Sequence, residues 1–128
     1  MESGVRKIRV MCVDDDAATR SLYAMIVGSE PDMECVAMLP SAATLESRVA
    51  EEGPDVVLLD LRMPGPDPLA ALRVTSSAHP HTRIVVFSGM DDPELVDEAY
   101  AHGAAAYLSK DAPPENMLET IRKLARKG

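Results

Sequence analysis

Six side chains in this 128-residue chain could work together as a reaction centre. They are the contiguous acids Asp14, Asp15 and Asp16, the separate acid Asp60, the hydroxyl of Ser88 and the ammonium of Lys110. Each group stands at the end of a short apolar run, in Val13-Asp14-Asp15-Asp16, Leu59-Asp60, Phe87-Ser88-Gly89 and Ser109-Lys110-Asp111. Carboxylates gathered in a partly buried cleft repel one another, which raises their pKa values or destabilises the fold. A hard divalent cation relieves that repulsion. Mg²⁺ takes six oxygen ligands and keeps several waters, so two or three protein oxygens suffice. With a hydroxyl and an ammonium added, the set suits phosphoryl transfer onto an aspartate. The metal and the lysine neutralise the equatorial oxygens and the hydroxyl donates a hydrogen bond. A carboxylate is an established covalent nucleophile in such chemistry.

These residues can meet only if the fold assembles them. Five short runs, Ile8–Val13, Met33–Leu39, Asp55–Leu59, Arg83–Phe87 and Ala105–Leu108, are rich in Val, Ile and Leu and do not alternate with polar residues. That pattern predicts strands buried on both faces of a parallel sheet. Amphipathic segments with helix punctuation lie between them. Asp16 suits the cap of a first helix whose Ala18, Leu22, Met25 and Ile26 share a face, with Gly28 near its end. Ser41 suits the cap of a second helix ending at Gly53. A third helix is expected over Pro68–Ala78. Asp91 with Glu94 resembles a capping box for a fourth, with Gly103 at its C-terminal end. Pro113 and Pro114 fit the first turn of a fifth, which places Leu118, Ile121, Leu124 and Ala125 on one face. Arg122, Lys123, Arg126 and Lys127 complement its negative end.

Strand and helix thus alternate five times. The expected fold is α/β, a flavodoxin-like (βα)5 open parallel five-stranded sheet in strand order 2-1-3-4-5 with helices on both faces. In that order the first and third strands are neighbours roughly 5 Å apart, and ligands bind outside their carboxyl ends. The acids of both strand ends then converge on one edge.

Val13-Asp14-Asp15-Asp16, Asp60-Leu61-Arg62-Met63-Pro64-Gly65, Ser88-Gly89 and Tyr107-Leu108-Ser109-Lys110 resemble the four signatures of the response-regulator receiver family, in order, from about Ile8 to Lys123. The resemblance implies that Asp60 is the phosphoacceptor and that Asp15 is a direct Mg²⁺ ligand, with Asp14 holding a metal-bound water. It implies a further ligand in the backbone carbonyl of Arg62, a phosphoryl contact from Lys110 and another from Ser88. Tyr107 becomes an aromatic that swings inward with Ser88, changing a surface made by helix 4, strand 5 and helix 5. Such a domain is a switch of a two-component system that catalyses its own phosphorylation and dephosphorylation, not a conventional turnover enzyme. Its implied donor is a sensor histidine kinase or a phosphotransfer protein, and its output is transcription.

The sequence departs from the common family pattern in places. Asp111 follows Lys110 where Pro is frequent, so no cis-proline is expected there. Lys110-Asp111-Ala112-Pro113-Pro114-Glu115 is similar to receivers fused to LuxR-type helix-turn-helix output domains, which predicts a DNA-binding domain downstream. Pro68 stands after Asp67 where Gly is common. Met38-Leu39-Pro40-Ser41 replaces small and polar residues after the second strand. Arg62 and Met90 border the acceptor and are placed to tune its dephosphorylation.

Composition bounds the alternatives. The length suits one domain, with a core over about 8–124, an N-terminal extension over 1–7 and the start of a linker at 125–128. A net charge of −8 argues against nucleic-acid binding by this domain itself. No apolar run approaches the ~20 residues of a membrane span, so a cytoplasmic location is expected, with a homodimer as a further partner state. Cys12 and Cys35 read as small core hydrophobes, and His79, His81 and His102 as loop or helix-end residues. A haloacid-dehalogenase-type hydrolase needs a second acid two residues after the nucleophile, where this chain has Arg62. A phosphorylation-independent interaction module is the alternative to the switch. A flavin site would need a Ser/Thr-rich loop where three aspartates stand, and an EF-hand needs spaced rather than contiguous acids.

Overall fold

The computed structural model describes residues 6–88 and 93–127. Its elements alternate strictly: β1 (Ile8–Val13), α1 (Ala17–Gly28), β2 (Met33–Leu39), α2 (Leu45–Glu52), β3 (Val56–Asp60), α3 (Pro68–Ala78), β4 (Arg83–Ser88), α4 (Pro93–Ala101), β5 (Ala106–Ser109) and α5 (Pro114–Lys127). The five strands form one sheet in the order β2-β1-β3-β4-β5, and every pair is parallel. The last three strands each end one residue later than the apolar runs suggest, and β3 and β5 also start one later, so the polar residues Asp60, Ser88 and Ser109 close them.

Alternate residues of each strand feed opposite cores, as the twofold period of a strand requires. Met11, Val13, Val57, Leu59, Ile84 and Val86 pack with Leu45 and Val49 of α2, Leu72 of α3 and Ala99 of α4. Val10, Cys12, Val56, Leu58, Val85 and Phe87 pack with Val27 of α1 and with Met117 and Ile121 of α5. Three helices thus cover one face and two the other. Each fully buried aliphatic side chain contributes about 1.5–3 kcal/mol, so the sheet is fixed firmly enough to hold groups at its edge.

The helix punctuation is partly as expected. Asp16 caps α1 by accepting the Thr19 N–H, and Asp67 caps α3 through the Leu69 N–H. Gly53 ends α2 in the left-handed region, φ 60°. Gly103, φ 110°, follows α4 so closely that a Cβ there would run into the Ser76 side chain, whose hydroxyl bonds the His102 carbonyl at 3.0 Å. The described peptide bonds include no cis isomer. Asp91, Gly89, Met90 and the Lys127 side chain lie outside the described residues.

Three expectations are corrected. Of the expected α1 face of Ala18, Leu22, Met25 and Ile26, only Ile26 packs on the core: Ala18 is exposed, and Leu22 and Met25 are 47% and 62% exposed. Val27 is buried instead, with Tyr23 and Ile26 beside it. The helix carries apolar residues on more than one side, and the sheet selects the stripe that fits above β1 and β3. Ser41 does not cap α2. Its hydroxyl accepts the Ala43 N–H in a preceding turn, and the helix begins at Leu45, which is completely buried. Arg122 does not serve the end of α5. Its guanidinium is committed to Asp32 (2.8 Å) and Glu30 (2.6 Å), tying α5 to the loop between α1 and β2.

Candidate phosphoryl-transfer site

The carboxyl ends of β1 and β3 are aligned, with Val13 opposite Leu59. The next residue on each chain brings Asp14 beside Asp60. Both are buried, at 1% and 3% exposure, while Asp15 faces solvent. Among the described residues, Asp14, Asp15 and Asp60 each offer a carboxylate oxygen, and these oxygens lie within 4.8 Å of one another. A set made only of hard oxygens suits Mg²⁺, Ca²⁺ or Mn²⁺ better than a soft metal, and three protein oxygens match a cation that retains waters. The residues therefore fit a divalent cation.

Lys110 enters from the end of β5. Its Nζ donates to Asp14 Oδ2 at 2.9 Å and lies 3.2 Å from Asp60 Oδ2. Its backbone N–H bonds the Ser88 carbonyl at 3.0 Å, which fixes the stem of the lysine to β4. The bond to Asp14 joins residues far apart in the chain and was not expected from the sequence. Ser88 is wholly buried at the end of β4, one residue past Phe87, the register partner of Asp60. Tyr107 is half-buried and packs against the core of α2, α3 and α4. The fold thus brings Asp14, Asp15, Asp60, Ser88 and Lys110 to one sheet edge, with Tyr107 on the adjoining strand. Arg62 follows Asp60, and its backbone N–H donates to Asp60 Oδ1 at 3.0 Å.

The electrostatics follow from burial. Desolvation raises the Asp60 carboxyl above its ordinary value, and Asp14 adds to the rise. The Arg62 N–H and Lys110 hold it down only in part. For Lys110, burial pulls the ammonium down, but its bond to Asp14 and the nearby Asp60 outweigh it, and the net movement is upward. The lysine stays charged at neutral pH. One ammonium is shared between two buried carboxylates, which leaves an excess of negative charge for a cation or a phosphoryl acceptor reaction to use.

The loop Asp14–Asp16 is closely pinned. The Asp14 N–H bonds the Leu39 carbonyl at 3.0 Å, and Asp14 Oδ1 accepts the Asp16 N–H at 2.9 Å. Arg20 Nη1 donates to the Asp14 carbonyl at 2.8 Å. Arg20 was missed in the sequence, where its spacing from Asp16 reads as an ordinary helix-surface pair. His79 also has an unforeseen partner: its Nε2 lies 2.8 Å from Glu46 Oε2, linking α3 to α2.

The response regulator receiver domain profile matches residues 10–122 of the chain. The oxygen regulatory protein NreC of Staphylococcus haemolyticus (strain JCSC1435) is 34% identical over 116 residues, covering 90% of this chain and 54% of that protein. The chain spans about half the length of the curated relatives it matches. Among solved structures, the receiver domain of the putative response regulator NarL from Mycobacterium tuberculosis is 28% identical with a TM-score of 0.88, covering 94% of this chain and 98% of that one. A two-component response regulator of the LuxR family from Aurantimonas sp. SI85-9A1 is 26% identical, also at 0.88, covering 94% and 86%.

Proposed function

The chain belongs to the response regulator receiver domain family, and on that premise we propose that it is switched by transfer of a phosphoryl group to Asp60. The observation that carries the reading is the state of that one carboxylate. It is buried at the end of β3, shares Lys110 with Asp14, and lies in a cluster of oxygens able to hold a cation. Asp15 and Asp60 would hold Mg²⁺ directly, the Arg62 backbone carbonyl would be a further ligand, and Asp14 would hold a metal-bound water. Bound there, the ion supplies positive charge against the carboxylates and the arriving phosphoryl oxygens.

An Asp60 oxygen attacks phosphorus in line with the leaving group. The bond from phosphorus to the donor nitrogen or oxygen breaks, and its electron pair leaves with the donor. A phosphohistidine donor departs as imidazole, a small acyl phosphate as its carboxylate. Lys110 keeps its ammonium on one phosphoryl oxygen as Asp60 gives up that contact, and the Ser88 hydroxyl donates to another. Tyr107, on the strand paired with β4, follows Ser88 inward and alters the surface of α4, β5 and α5. Hydrolysis of the acyl phosphate at the same site resets the switch.

The donor in this reading is a sensor histidine kinase or a phosphotransfer protein. The output is transcription, exerted by a DNA-binding domain of a longer regulator in the cytoplasm, with homodimerisation as the coupled step. The NreC and LuxR-family relatives support that output. The acidity of this domain, −8 overall, leaves nucleic-acid contact to the other part.

The test is incubation with Mg²⁺ and a small acyl phosphate, followed by intact-mass measurement. A labile gain of ~80 Da, the mass of a phosphoryl group, that disappears in Asp60→Asn is the expected result. No adduct in the parent would leave an interaction module. Sustained turnover of phosphate esters would point to a hydrolase.

A further inference from the structure

Arg20 lies near the N-terminal end of α1, four residues after the cap Asp16, a spacing at which opposite charges on a helix attract. Its guanidinium nevertheless reaches beyond the helix: Nη1 makes a 2.8 Å bond to the backbone carbonyl of Asp14, in the loop ahead of α1.

The geometry follows from helix construction. Side chains on a helix lean back toward its N-terminus. Arg20 comes four residues after the cap Asp16, to whose carbonyl its own N–H is bonded at 3.0 Å, so its long stem runs back over the acidic loop. Asp14 then has every polar group engaged: its N–H by Leu39, one carboxylate oxygen by the Asp16 N–H, the other by Lys110, and its carbonyl by Arg20. Asp15 is exposed and lies between two anchored neighbours, so the direction of its carboxylate follows the path they set.

We propose that Arg20 is a positioning residue for the metal loop: by holding the Asp14 carbonyl it keeps the Asp15 carboxylate gathered with those of Asp14 and Asp60, ready for a divalent cation. This rests on the Asp60 reading above. Arg20 touches no reacting atom in this scheme, and its effect is on cation affinity rather than on the chemical step.

Charge and position give opposite signs, which makes the inference testable. Removing a cation beside three carboxylates, with nothing else changed, tightens Mg²⁺ binding. Loosening the loop weakens it. Calorimetric titration of the full chain with Mg²⁺ alone is expected to show Arg20→Met about 10-fold weaker than the parent, the low end for groups that orient metal ligands. Arg20→Lys, which keeps the charge and a donor, should return to within about threefold. Phosphorylation of Arg20→Met from a small acyl phosphate should need more Mg²⁺ but reach the parental maximal rate. Amide NMR resonances of Asp14–Ala17 should broaden or shift in Arg20→Met and recover in Arg20→Lys.

Equal or tighter Mg²⁺ binding by Arg20→Met overturns the proposal, as does an equal loss in both variants. A lower thermal midpoint with unchanged Mg²⁺ affinity would assign Arg20 to helix packing and overturn it too. Arg20→Gln, too short to reach the carbonyl, replaces Arg20→Met if that variant does not fold. A parent that binds Mg²⁺ but forms no adduct removes the Asp60 reading and leaves the affinity comparison standing. A parent that binds no Mg²⁺ overturns both.

Discussion

Two aspartates bracket β3. Asp55, just ahead of the strand, accepts the Arg9 N–H at 2.9 Å and an Arg6 guanidinium at 2.7 Å. Its own backbone bonds Arg9 on one side and Arg83 on the other. It knits the amino ends of β1, β3 and β4 together, and its charge is met by a cation of its own. Asp60, at the other end, is more deeply buried and shares one ammonium with Asp14. The same side chain is structural where a cation of its own answers its charge, and available for chemistry where one ammonium serves two carboxylates. The carboxyl edge of a parallel sheet, where the strand order switches direction, is where ligands bind, and it is there that this partly answered charge lies.

The two ends of β3 should differ most in their response to losing a cation. If the ammonium is what makes Asp60 usable, Lys110→Ala should slow acyl-phosphate labelling by roughly 10²-fold, the scale for losing one donor aimed at developing charge. Arg6→Ala, which strips Asp55 of its cation, should leave labelling within about twofold. Comparable losses in both would erase the distinction between the two ends.

Mg²⁺ should separate the ends next. At about 100 times its dissociation constant a ligand adds about 2.7 kcal/mol to stability. Thermal melts of the parent should rise accordingly, and Asp15→Asn should lose most of that rise. Asp55→Asn should keep all of it. An undiminished rise in Asp15→Asn would remove Asp15 from the ligand set.

The smallest effect has opposite signs at the two ends. Burial raises the Asp60 pKa in the fold, so its ionisation opposes folding. That contribution is harmless below the unfolded value, about 3.9, and stability is lost as pH rises through the folded pKa. Asp60→Asn should therefore be more stable than the parent at pH 7, with the advantage gone near pH 3. Asp55→Asn should be less stable by about 1 kcal/mol, since it weakens hydrogen bonds that the charge strengthens. Chemical denaturation at both pH values measures these differences, and a destabilised Asp60→Asn at pH 7 would contradict the account.

The strand ends were readable because a sheet covered on both faces leaves long apolar runs whose first polar residue marks the edge. Val13-Asp14, Leu59-Asp60, Phe87-Ser88 and Leu108-Ser109 announce themselves in this way, and strand order does the rest. The helices were less readable. Leu22 and Met25 looked like core because α1 is apolar on more than one side, and periodicity alone cannot say which stripe the sheet will choose. The tethers of the site were hidden for a different reason. The bonds Lys110–Asp14 and His79–Glu46 exist only through long-range packing, and no local pattern of residue types encodes them.

The Lys110–Asp14 contact has a consequence for the order of assembly. It closes a loop through nearly the entire domain, with residues separated by 96 positions, and such contacts form late because their closure entropy must be met first. A chain that has docked only β1 to β4 holds Asp14 and Asp60 without the ammonium they share. The counter-charge comes from the end of β5, the last strand in the sequence, so the phosphoacceptor site is complete only when the sheet is. Unfinished or partly unravelled copies would then be silent in signalling, a form of quality control built into the sequence position of a single lysine.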